Sequence, residues 1–402
     1  MDRLANTVRP YAWGSTTAIP ALLGEQPTGE PQAELWLGAH PGDSSRVDRG
    51  AGVRRLAEVI AADPVAELGA EAVEKFGPTL PFLLKVLAAG IPLSLQVHPS
   101  RAQAQAGFAA EEAAAVPVEA GHRNYKDANH KPELICALDE FEGLCGFRDP
   151  LATADLMELL AVPGLSPLID LLRTKPAGQA LRETLATVLT TDSGVVAVLV
   201  KELAEALERA QREYPDSPYV DAWAGYAHTA ALYPGDAGVL AALLLNHVRL
   251  QPGEALYLGA GVPHAYLRGT GVEIMANSDN VLRCGLTPKH VDVPELLKVV
   301  VFEAGDPGVR GPVAGADGEE LFPVPIDEFR LSRFTLTADG AQRRVDGRAA
   351  QILLCTEGAA TLTDATGATL ELAKGQSAYL PATGTDTALT GTGVLFRATV
   401  TL

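Results

Sequence analysis

The sequence predicts a mainly β protein interrupted by an α-helical insertion. Three observations carry that prediction. Short apolar and β-branched runs punctuated by Gly, Pro and Asp fill both ends of the chain. From about residue 150 to residue 249 the apolar residues recur at helical spacing instead. Two segments, residues 253–264 and 375–386, align without a gap: each has a Gly, a short strand with Tyr-Leu near its end, and a Gly/Pro-rich turn.

Taken in order, Tyr11-Ala12-Trp13-Gly14-Ser15 and residues 33–41 read as strands and turns. Residues 80–87 and 91–98 read as paired strands joined by Ala88-Ala89-Gly90. Residues 101–115, rich in Ala and Glu, read as a helix, followed by a polar loop over 121–133 and a buried strand over 134–138. Helical runs such as 155–160, 198–207 and 239–245 fill the central block. Strand and turn signals return at Leu250, and the last hundred or so residues read as a separate all-β domain.

The pattern Gly-x5-(Pro or Gly)-x-Gly-x2-His over Gly253–His264 resembles the second motif of cupins, the double-stranded β-helix or jelly-roll barrels. In that family the His binds a metal inside the barrel. The second copy carries Asp386 in its place. The expected division is therefore a cupin-like barrel over residues 1–149 and 250–310, a helical insertion over 150–249, and a degenerate cupin-like domain without a metal site over 311–402.

A chain of 402 residues is long for one domain, and a hydrophobic content of 47% suits real cores. A net charge of −18 argues against nucleic acid or an anionic membrane as partner, and any anionic substrate must be met by a local cationic cluster. The N-terminal residues show no apolar run of the secretory kind, and no run reaches the length of a membrane span. The four cysteines form no Cys-x-x-Cys pair and read as buried or free thiols in a reducing cytoplasm.

The stretch Leu93–Ser100 concentrates the chemistry. On a strand Ser94, Gln96 and His98 share one face, and Leu95 and Val97 the other. Polar groups in a row on so apolar a strand need partners. A hydrogen-bonded pair on an edge strand or a metal ion would supply them. Glu133, after Pro132, and His264, at the barrel turn, are further ligand candidates; singly each also reads as a core histidine or a salt-bridge partner. Together the four offer two nitrogen and two oxygen donors, a set that suits Zn²⁺ or another borderline divalent ion. Residues 271–290 are dense in charge and amide groups yet interleaved with apolar residues, so part of this run reads as a pocket wall. Arg283 and Lys289 are its candidates for a cationic clamp, with Lys85 and Lys131 able to join. Trp13 reads either as a sugar-stacking ring or as a rim tryptophan.

Tyr11-Ala12-Trp13-Gly14, Leu95–Pro99, Asn129–Glu133, Val262–Tyr266 and Asn277–Lys289 together closely resemble the type I mannose-6-phosphate isomerases, from the N-terminus to about residue 305. The resemblance implies an aldose–ketose isomerase acting on mannose 6-phosphate and fructose 6-phosphate through a cis-enediol. It implies one Zn²⁺ per chain on Gln96, His98, Glu133 and His264, and a catalytic Arg at Arg283. Within that expectation Lys131 and Glu273 are the leading bases, with a metal-bound water as a third. His130 assists ring opening, and Trp13, Lys85, Ser94, Asp279 and Lys289 contact substrate. A monomer or weak homodimer is expected. The competing readings are a non-catalytic sugar- or metal-binding barrel and a metal-dependent cupin oxygenase.

Overall fold

The computed structural model describes residues 1–402 except Asp339. Two large sheets dominate, one of eleven strands and one of nine, with helices Pro150–Leu159 through Ala237–Ala242 inserted in the first. The eleven-stranded sheet is organised by one long strand, His264–Ala276. Its first half pairs with Phe141–Phe147, and His264 faces Gln96. Its second half lies between Phe82–Ala89 and Glu133–Ala137. The strand changes partners at Gly269, whose φ of +116° and close approach to Phe141 (a Cβ would sit 2.7 Å from Phe141 Cα) leave room for glycine alone.

Phe82–Ala89 is buried along its whole length, which explains its unbroken apolar run. Period two still sorts its side chains. Phe82, Leu84, Val86 and Ala88 enter a core shared with Phe329, Ile352, Tyr379 and Phe396 of the C-terminal region. Leu83, Lys85 and Leu87 face a cleft on the other side. Leu95 and Val97 likewise turn away from the cleft, into the core of the helical insertion beside Leu156 and Leu240. The cleft thus has a hydrophobic core behind each of two walls, and burying a residue of that size contributes about 1.5–3 kcal/mol.

Two expectations are corrected. Phe82–Ala89 and Leu95–Val97 are not a hairpin: the first pairs with Glu34–His40 and His264–Ala276, the second with Leu282–Gly285 and His264. The end of the first strand is taken by residues 13–15, since Ser15 N–H donates to Ala88 O and Gly90 N–H donates to Trp13 O. Strand structure also returns at Leu245 rather than Leu250, because Leu245–Leu250 pairs along Phe141–Phe147. Leu56–Ala62, Pro64–Leu68 and Ala70–Phe76 are helices in a stretch to which the sequence reading assigned no element.

The nine-stranded sheet holds most strands after residue 310 together with Asp2–Arg3, which pairs with Ser377–Leu380. The aligned segments occupy matching places: Ala255–Leu258 and Ser377–Leu380 are short strands, each followed by a turn and a thirteen-residue strand, His264–Ala276 and Thr387–Thr399. All four cysteines are buried and unpaired. Among the described residues, no single helix is long and apolar enough to cross a membrane.

Candidate metal centre and substrate cleft

The cleft encloses about 530 Å³. Glu133 lines it, with His98 and His264 buried just behind, and the three bring one donor atom each within 4.8 Å of one another. His98 Nε2 lies 3.4 Å and His264 Nε2 3.6 Å from the same Glu133 oxygen, Oε2. The amide end of Gln96 lies 3.4 Å from His264 Nε2. Cross-strand register makes this possible: Gln96 sits between His264 on one side and Arg283 on the other.

The hydrogen bonds at the far side of each imidazole decide what these atoms can do. His98 Nδ1–H donates to the Asn280 carbonyl at 2.8 Å, and His264 Nδ1–H to the Val262 carbonyl at 2.9 Å. Both Nε2 atoms are therefore left with lone pairs aimed inward. His98 Nε2 is buried with no hydrogen-bond partner among the described residues. Lone pairs and a carboxylate converging in a buried site need a cation, and the donor set fits Zn²⁺. Burial pushes the His98 imidazole down to about 4, which keeps it neutral and able to ligate. Burial would raise the Glu133 carboxyl, but the Lys131 ammonium 3.3 Å away leads the opposing influences, and the group is held well below the usual range.

A second polar group lies beside this centre. Glu273 receives Lys85 Nζ–H at 3.0 Å and Tyr266 O–H at 2.9 Å, one on each oxygen. Lys85 also contacts Glu34 at 3.4 Å, and Trp36 Nε1–H donates to Glu34 at 2.7 Å. Burial raises the Glu273 carboxyl despite Lys85. Burial would lower the Lys85 ammonium, but Glu273 and Glu34 prevail and keep it charged. Lys85, expected as part of a clamp for an anion, instead has its charge answered by two carboxylates.

Arg283 and Lys289 differ in this respect. Both line the cleft, and neither has an ion-pair partner among the described residues. Burial lowers both cations from their usual range, and Arg283 adds to the effect on Lys289. Two unpaired cations make this end of the cleft locally positive in a chain of charge −18.

Ser94, Gln96, Trp13, Lys131, Asp279 and Glu273 also line the cleft, so the alternation read from residues 93–100 holds in space. His130 does not join them. Its Nε2 lies 2.8 Å from Glu328, beside Arg101, on the side of the C-terminal domain. Pro132 favours an extended backbone at Lys131, and successive side chains of an extended segment point opposite ways, so Lys131 and His130 part company. Sequence reasoning missed Glu34, Trp36, His40, Tyr233 and Tyr266, which also line the cleft. It also missed Asn280, whose carbonyl fixes the His98 tautomer. The run Asn277-Ser278-Asp279-Asn280, with Ser278 and Asn280 buried, was the available signal.

A jelly-roll barrel with imidazole, carboxylate and amide donors converging on its floor defines a metal-dependent enzyme of the cupin class. Residues 1–150 match the family description "Phosphomannose isomerase type I, catalytic domain", and residues 319–400 match "Mannose-6-phosphate isomerase, cupin domain". The mannose-6-phosphate isomerase of Escherichia coli K12 is 42% identical over 400 residues, covering 99% of both chains. The human enzyme is 32% identical over 388 residues, covering 88% of this chain and 87% of its own. The crystal structure of the Salmonella typhimurium enzyme bound to fructose 6-phosphate and zinc superposes with a TM-score of 0.91 at 40% identity, covering 100% of both chains. The chain belongs to the type I phosphomannose isomerase family, which favours the isomerase over the binding-barrel and oxygenase alternatives.

Proposed function

We propose that the cleft interconverts mannose 6-phosphate and fructose 6-phosphate, with Glu273 as the base at carbon. The observation that carries this reading is the adjacency of three kinds of group: converging metal donors, a buried carboxylate shifted toward basicity, and two unpaired cations. Gln96, His98, Glu133 and His264 would hold zinc, which when bound supplies Lewis-acid polarisation of the C1 and C2 oxygens. Glu273 takes the proton from C2 and returns it to C1, while the hydroxyl proton passes from O2 to O1 of the enediol; Lys85 and Tyr266 orient the Glu273 carboxylate. Lys131, 3.3 Å from Glu133, donates to the substrate oxygens as charge develops on them. Arg283 and Lys289 hold the phosphate and so fix the reacting end. Ser94 and Asp279 contact hydroxyls, and Trp13, stacked on Tyr11 at a centroid distance of 5.7 Å, covers the sugar face.

The division into a barrel of residues 1–149 and 250–310, a helical insertion of 150–249 and a C-terminal barrel of 311–402 is part of the same proposal, with Leu245–Leu250 assigned to the first barrel. So are a monomer or weak homodimer as the working form, a cytoplasmic location suggested by four unpaired cysteines, and the absence of nucleic-acid or membrane partners. The test is deuterium exchange at C2 of mannose 6-phosphate. Glu273→Gln should lower exchange and turnover by at least about a hundredfold while one zinc per chain remains by mass spectrometry. Exchange at the wild-type rate would remove Glu273 from the role.

A further inference from the structure

The helical insertion supplies more than a wall. Its last turn, Tyr233-Pro234-Gly235-Asp236, lies between the helices Val220–Leu232 and Ala237–Ala242 and reaches the cleft. Tyr233 O–H donates to the Pro92 carbonyl at 2.6 Å, just before Ser94. Asp236 grips the opposite wall. One of its oxygens accepts from Leu286 N–H at 2.9 Å and Gly238 N–H at 2.7 Å; the other accepts from Thr287 N–H at 3.1 Å. The gripped loop is an unusual one. Leu286 has φ of +55°, a left-handed conformation that a leucine holds only when its surroundings impose it. Gly238 packs so closely on the loop that a Cβ there would lie 2.5 Å from Leu286 N. Thr287 Oγ1 in turn accepts from Lys289 N–H at 3.1 Å.

We infer that Asp236 is a positioning residue for the phosphate: through Leu286 and Thr287 it holds the loop that presents Lys289 beside Arg283. This rests on the assignment of Arg283 and Lys289 to the phosphate. Asp236 touches no substrate, so its removal loosens the anion end and leaves the metal donors and Glu273 in place. The helical insertion thereby sets affinity for the phosphorylated substrate.

The experiment compares Asp236→Ala, Asp236→Asn and Lys289→Ala in the full-length zinc enzyme. It measures kcat and KM for mannose 6-phosphate, and Ki for inorganic phosphate as competitive inhibitor. Asp236→Ala should raise KM and Ki together by about tenfold, with a smaller fall in kcat than rise in KM and zinc content unchanged. Asp236→Asn, which keeps one carbonyl oxygen for two of the three amides, should show a smaller rise in both; it decides the matter if the alanine variant does not fold. A fall in kcat with KM and Ki unmoved overturns the inference. If Lys289→Ala leaves Ki unchanged, the phosphate assignment fails and the inference with it. If Lys289→Ala raises Ki and neither Asp236 variant does, the inference alone fails.

Discussion

The two thirteen-residue strands, His264–Ala276 and Thr387–Thr399, show how one scaffold can be chemical in one place and structural in another. Each follows a short strand and a glycine-containing turn. The first begins with His264, buried against Glu133. At the aligned place the second has Asp386, exposed and outside the strand. The interiors differ accordingly. The C-terminal region packs Phe334, Leu353, Leu362, Leu389 and Leu395 into one apolar cluster. The first barrel gives up part of its interior to groups that are unfavourable to bury unless a cation joins them.

The largest test of this contrast is to remove both turn residues separately. His264→Ala should abolish zinc retention and lower turnover by at least about a thousandfold, whereas Asp386→Ala should leave zinc content and turnover within about twofold. Zinc by mass spectrometry and a coupled isomerase assay read both, and loss of zinc in the Asp386 variant would break the contrast. Next in size, Leu353→Ala should destabilise the chain by about 2–5 kcal/mol in denaturant unfolding while kcat at low temperature stays unchanged. A large loss of kcat there would mean that the C-terminal core does take part in the chemistry.

A smaller effect sharpens the metal side. The Asn280 side chain is locked by Lys126 N–H at 2.7 Å and by the Asp127 and Asn129 carbonyls, both at 2.8 Å, and its own carbonyl orients His98. Asn280→Ala should weaken zinc binding by about tenfold in a chelator competition, with the ligands themselves untouched. Least of all is the contact between the two regions through Glu328. The hydrogen bond from His130 holds its carboxyl down at about 2. A carboxylate depressed in the folded state adds stability that is complete above its unfolded value, about 4.5, and is lost as pH falls from there toward about 2. Glu328→Gln should flatten the acid limb of a stability-versus-pH curve over that window and leave the curve above pH 5 with its original slope.

The legible part of the site was the part written locally. Alternation along residues 93–100 placed Ser94, Gln96 and His98 together, and a proline before each of Glu133 and His264 marked where two more donors begin their strands. Glu34, Trp36 and Tyr266 stayed hidden because a cross-strand neighbour is fixed by register between distant segments. The pairing Glu273↔Lys85, which turns a supposed clamp into a buried ion pair, is such a case. Tyr233 and Asp236 were hidden for another reason: helical periodicity describes the faces of the insertion and says nothing of the turn that leaves it. The helical block itself was plain from its spacing, but its end was not, since Leu243-Leu244-Leu245 suits a buried helix and a buried strand equally.

The pairing of Asp2–Arg3 with Ser377–Leu380 has a consequence for the order in which the chain can be completed during synthesis. Asp2 and its partner Tyr379 lie 377 positions apart, so Tyr379 is made long after Asp2. At typical elongation rates the first strand waits roughly 20 to 75 s for the sheet it joins. During that interval the shared core of Leu84, Val86, Phe329 and Ile352 is also only half made. Until those later residues are made, the first region presents one apolar sheet face that the folded chain covers.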